Sequence, residues 1–118
     1  MFINSNPEEV VQNQLEAYNA RNIEAFMSLM SKDVALYEFG NSSPSVAGFD
    51  EVKKIYNNLF EQSPNLHSTI LSRMVLGNKV IDHESIKGRM GNTEIIELIV
   101  IYEVNANLKI NKITVLRE

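Results

Sequence analysis

Residues 93–104 read Thr-Glu-Ile-Ile-Glu-Leu-Ile-Val-Ile-Tyr-Glu-Val, and hydrophobic side chains dominate both of the alternating sets in that run. Strand side chains alternate between faces, so Ile96, Leu98, Val100 and Tyr102 share one side while Ile95, Glu97, Ile99 and Ile101 share the other. A strand apolar on both faces needs cover on both. The pattern predicts helices over one face, enclosing a cavity, and a second copy of the protein against the other. At about 12 residues and roughly 3.3 Å per residue such a strand spans about 40 Å and has to bend.

Upstream the period changes. Asn6-Pro7-Glu8-Glu9 has the form of a helix start, with Asn6 as cap and Pro7 at the first helical position, and Val11, Leu15 and Tyr18 follow on one face. Asn19 to Asn22 interrupts this helix, and Asn22 can cap a short second one with Ile23, Phe26, Met27 and Met30 as its stripe. Residues 34–39 suit a strand closed by a turn at 40–44. Residues 49–62 carry Val52, Ile55, Tyr56, Leu59 and Phe60 in the clearest helical pattern of the chain, stopped at Ser63-Pro64. Beyond Pro64, residues 66–76, 79–90, 93–104 and 109–117 read as strands joined at Gly77-Asn78, Gly91-Asn92 and Asn105-Ala-Asn. The order predicts an α+β cone, with three N-terminal helices packed on a strongly curved, mostly antiparallel sheet around a pocket.

Composition narrows the function. The 118 residues fit a single domain over 1–118, and with no cysteine there are neither disulfides nor thiolate metal sites. A net charge of −4 with scattered basic residues argues against nucleic acid as a partner. No apolar run reaches the roughly 18 residues of a membrane span, and the first six residues lack the basic start of a signal peptide, so no membrane association and a cytoplasmic location are expected. Asp82 and Glu84 point away from His83 on a regular strand, so that trio is not expected to hold a metal. Without a nucleophile elbow, phosphate-binding glycine loop or dinucleotide fingerprint, no cofactor is expected.

The segment from Val11 to Asn22 (Val-Gln-Asn-Gln-Leu-Glu-Ala-Tyr-Asn-Ala-Arg-Asn), Phe26, Lys32-Asp-Val34, Ala47-Gly48 before the long helix and Ile101-Tyr-Glu-Val together resemble the SnoaL-like family of the nuclear transport factor 2-like superfamily, which includes the ketosteroid isomerases. The resemblance covers nearly the whole chain. Pro64-Asn-Leu-His67 and Val80-Ile-Asp-His-Glu84 are similar to small bacterial members with no assigned activity. It implies a cystatin-like cone. Carried onto this sequence, the isomerase's general base matches Glu38 and its supporting tyrosine matches Tyr56. Its oxyanion donors do not carry over, since Gln14 stands in place of a tyrosine and Val100 in place of a protonated aspartate. Such donors commonly supply a factor of about 10² to 10³ each, so steroid isomerisation by that mechanism is not expected.

Glu38 is the first candidate for catalysis, because a carboxylate against an apolar pocket has its pKa raised by desolvation; the alternative is a solvent-facing residue at a strand end. Arg73, Asp82 and Glu84 form the second. A two-residue turn at Gly77-Asn78 sets Arg73 opposite Asp82 and Leu71 opposite Glu84, placing the trio on one face. This arrangement loosely resembles the Asp-Arg-Asp set of epoxide hydrolases in the same superfamily; a structural ion-pair network is the alternative. A two-residue turn at Gly91-Asn92 would put the trio on the Ile99 face, and a three-residue loop would put it with Val100. His67, sharing by parity the face of Thr69, Leu71 and Arg73, is a third candidate, either as a pocket acid or base or as a hydrogen-bonded edge residue. Gln14, Tyr18, Tyr56, Val100 and Tyr102 are expected to line the pocket. Three functions follow: an isomerase or hydrolase-type enzyme acting on a small apolar molecule by carboxylate acid/base chemistry, a non-catalytic ligand-binding homodimer joined through the outer sheet face, or a dimeric interaction module with a solid core.

Overall fold

In the computed structural model, which describes residues 6–118, the expected cone is present. The six N-terminal residues read for a signal peptide lie outside the described residues up to Ser5. Helix α1 (Pro7–Asn19) starts as its sequence directs, with the Asn6 side chain accepting the Glu9 N–H at 2.9 Å. It buries Val10, Val11, Gln14, Ala17 and Tyr18. Helix α2 (Ile23–Met27) is capped by Asn22 through the Ala25 N–H, and is only five residues long. Met30, expected on its apolar stripe, instead opens strand β1 (Met30–Glu38). A short β2 (Val46–Ala47) precedes α3 (Phe49–Glu61). Among the described residues no helix is long and apolar enough to cross a membrane.

Strands β3 (His67–Leu76), β4 (Lys79–Lys87), β5 (Ile96–Val104) and β6 (Ile110–Leu116) complete an open sheet in the order β2-β1-β6-β5-β4-β3. All neighbours are antiparallel except β1 and β6, which run parallel. Strand β5 lies near the middle, and its inner residues Leu98, Val100, Tyr102 and Val104 are buried. It starts at Ile96 rather than residue 93. Residues 88–95 form an ordered connection containing a single 3₁₀ turn, Arg89–Gly91, instead of a tight hairpin. The cover over the inner face is aromatic: Phe26 packs against Tyr56 at 4.5 Å between ring centroids and edge-on against Phe60 at 5.5 Å, and Tyr18 meets Phe60 edge-on at 5.7 Å.

Register decides which side chains look inward. Arg73 pairs with Asp82 as the Gly77-Asn78 turn predicts, but a bulge between Ile70 and Ser72 shifts the rest of β3, so Ile70, not Leu71, lies opposite Glu84. On the other side of β4, Asp82 pairs with Val100 and Glu84 with Leu98. The trio therefore shares the inner face with Val100, the parity expected of a three-residue loop. The same bulge moves His67 to the opposite parity from Arg73: it pairs with Lys87 and is exposed, which corrects the expected placement.

Candidate functional site

Between the helices and the inner face of the sheet lies a cavity of about 310 Å³. All five residues expected as lining (Gln14, Tyr18, Tyr56, Val100 and Tyr102) line it, together with Glu38 and Glu84. Arg73, Asp82 and His67 do not.

Glu84 is the cavity's buried carboxyl, 5% exposed. Its inward direction on β4 and the bulged register of β3 bring Ser68 within reach, and the neighbouring β5 supplies Tyr102. The Ser68 hydroxyl donates to Oε1 and the Tyr102 hydroxyl to Oε2, each at 3.0 Å. Burial pushes the Glu84 carboxyl above its ordinary range, against the opposing pull of these two donors. Burial likewise raises Tyr102, reinforced by the nearby Glu84 charge. Tyr56 is pushed up to about 12, again chiefly by burial, and Tyr18 is raised as well. The tyrosines thus keep their protons, and Tyr102 donates its own to Glu84.

The arginine on the same face as Glu84 is committed elsewhere. Arg73 Nε and Nη2 donate to the two oxygens of Asp82 at 2.6 and 2.9 Å, and Nη1 donates to Gln12 Oε1 at 2.9 Å. Asp82 is 1% exposed, so this is a closed ion pair buried beside the cavity. It matches the structural network of the sequence reading more closely than a set of three groups around an open water site.

Glu38 occupies the mouth. Arg117, two residues beyond its parallel pairing partner Val115, donates to both carboxylate oxygens at 2.8 and 3.1 Å. That guanidinium holds the Glu38 carboxyl below the usual range. The upward shift expected from desolvation is therefore reversed, because the group is partly exposed and paired. Arg117, Arg89 and Ser68 escaped the sequence reading. Arg117 depends on a parallel pairing between the first and last long strands, Ser68 on the bulge, and Arg89 on a connection taken for a plain hairpin.

A family model described as a SnoaL-like domain matches residues 11–113. The chain belongs to this SnoaL-like family. No curated protein matches it in sequence. Among solved structures, this SnoaL-like chain resembles an uncharacterised cystatin-fold protein from Novosphingobium aromaticivorans, at 17% identity and a TM-score of 0.86 over 97% of this chain and all (100%) of that one. It also resembles a computationally designed 17-OHP binder, at 16% identity and a TM-score of 0.81 over 95% of this chain and 91% of that one. A protein from Kribbella flavida provisionally labelled a ketosteroid isomerase aligns at 15% identity and a TM-score of 0.78, over 95% of this chain and 77% of that one. At such identities the shared property is the fold. Within that fold the SnoaL-like chain places Gln14 and Val100 on the cavity wall.

Proposed function

We propose that the cavity receives a small apolar molecule and that Glu84 exchanges a proton with it. The observation that carries this reading is a buried carboxyl on the cavity wall whose hydrogen-bond partners are neutral hydroxyls and to which no arginine is bonded. A desolvated carboxyl with a raised pKa is a stronger base when ionised than an exposed one, and a proton donor over a wider pH range when it is not. Once Glu84 has taken up the proton it can donate to the Tyr102 oxygen, and the Tyr102 hydroxyl, until then a donor to Glu84, is freed to donate to an oxygen of the bound molecule. Abstraction of a proton next to a carbonyl, as in an isomerase, suits these parts better than hydrolysis, since the Arg73–Asp82 pair is closed.

The test is deuterium exchange into small apolar ketones, followed by proton NMR. Exchange by the wild type that climbs as pH rises through the Glu84 transition, and that falls at least about a hundredfold in Glu84→Gln, is the expected result. Equal exchange in both proteins removes Glu84 from the chemistry.

A second reading, a receptacle without catalysis, is favoured by the absence of tyrosine at position 14 and of a carboxyl at position 100. It predicts ligand binding with no exchange at all. In either case we read the protein as a homodimer through the outer sheet face, where Ile99 and Ile101 stand half-exposed on β5. Sedimentation as a monomer at micromolar concentration would count against that pairing.

A further inference from the structure

At the cavity wall, the 88–95 connection holds Arg89 between two left-handed residues. Gly88 has φ +76°, and a Cβ there would strike the backbone carbonyl of Asn65, so only glycine fits. Met90 has φ 54°, a conformation that non-glycine residues disfavour, and its N–H is fastened to the fully buried Ser63 Oγ at 2.8 Å. The chain thus takes a left-handed backbone on both sides of one arginine, freely at Gly88 and under strain at Met90. Arg89 is half-buried and lines the cavity, and its positive charge is felt by Tyr18, Tyr56 and Glu38 on three of the surrounding elements. Its guanidinium makes no hydrogen bond or ion pair among the described residues. The other cation on the cavity wall, Arg117, is already matched by Glu38.

We infer that the cavity's occupant is an apolar carboxylic acid, its carboxylate received by Arg89 and its hydrocarbon body lying against Leu98, Val100 and Ile113. A free guanidinium offers two parallel donors that fit a carboxylate, and one such group balances one negative charge. A doubly charged phosphate would exceed that charge and lie near the Glu38 and Glu84 carboxyls. The cavity's volume of about 310 Å³ is at the low end for small-molecule sites, which favours a compact body of one or two rings or a short branched chain. This inference rests on the cavity being a small-molecule site, but not on Glu84 moving a proton.

The test compares matched acids and amides. 4-Phenylbutanoate, 1-naphthylacetate and 2-ethylhexanoate, each with its primary amide, would be titrated into the protein, with the methyl resonances of Leu98, Val100 and Ile113 as reporters. For at least one body, the acid is expected to bind the wild type roughly tenfold or more tightly than its amide, and Arg89→Gln to abolish that preference while leaving the amide's affinity in place. Because Arg89 has no partner to lose, the retained amide binding also shows that the variant is folded. Amides that bind while the acids gain nothing, or an acid preference that survives in Arg89→Gln, would overturn the inference and leave the cavity reading intact. If neither acids nor amides move those resonances, both are overturned.

Discussion

Glu84 at the floor of the cavity and Glu38 at its mouth are both strand carboxylates that accept two short hydrogen bonds, yet their acidities move in opposite directions. At Glu84 the donors are two neutral hydroxyls and the group is sealed from water, so burial wins and the carboxyl is raised. At Glu38 both donors belong to one guanidinium and the surroundings are open, so the cation wins and the carboxyl is lowered. The number of hydrogen bonds does not set the outcome; the charge behind them and access to water do. The two arginine pairs teach the complementary lesson. Arg73–Asp82 and Arg117–Glu38 have nearly the same forked geometry, but the first is buried and the second exposed, and only the first should matter greatly to stability.

The largest effect should come from breaking the buried pair. Arg73→Ala leaves Asp82 charged and unpaired in the interior, and is expected to cost about 3–5 kcal/mol in urea unfolding. If the pair is purely structural, Arg73→Met combined with Asp82→Leu should recover most of that loss, since a well-packed apolar pair can replace a buried ion pair.

An intermediate effect is expected at the floor. Glu84 in the folded protein holds its proton at pH values where the unfolded chain, with a carboxyl pKa of about 4.3, has released it. The folded state therefore binds more protons over that window, and the stability contributed by protonated Glu84 is lost as pH rises from about 4.3 through the folded pKa. Glu84→Gln should flatten this part of the pH–stability curve and raise the melting temperature at neutral pH, while removing proton exchange with ligand. Thermal melts of both proteins across the acid-to-neutral range check it.

Disruption at the mouth should have the smallest effect. Arg117→Ala is expected to change stability by no more than about 1 kcal/mol, and the change should shrink in high salt, because the pair is exposed and screened. The sign at low pH is opposite to that of Glu84: the lowered Glu38 carboxyl lends its small stabilisation above the unfolded pKa and loses it as pH falls through the folded one. A large loss in Arg117→Ala would erase the distinction between floor and mouth.

What could be read from the sequence was what local rules control. Asn6 and Asn22 announced two helix starts, the apolar spacing of α3 gave its buried side at Val52, Leu59 and Phe60 though not at Ile55, which stands exposed, and Gly77-Asn78 set the pairing of Arg73 with Asp82. A bulge carries no such signature. The extra residue at Leu71 moved His67 off the Arg73 face and brought Ser68 to Glu84, and nothing in the intervening residues announced it. Long-range pairing was hidden for a different reason. The parallel contact of β1 with β6 joins strands separated by most of the chain, so Arg117 could not be seen beside Glu38, nor the sign of its effect known. The Gly91-Asn92 signal was real as a turn but belonged to a longer connection, whose left-handed Met90 no propensity would have suggested.

The claim on which the rest depends is that the cavity floor holds a carboxyl kept neutral beyond the ordinary range by burial among uncharged partners. A carbon-detected NMR titration of the side-chain carboxyls, following Glu84 and Glu38 in the same sample, tests it directly. Glu84 should titrate well above Glu38 and above an ordinary glutamate, and a Glu84 midpoint at or below that of Glu38 would contradict the account.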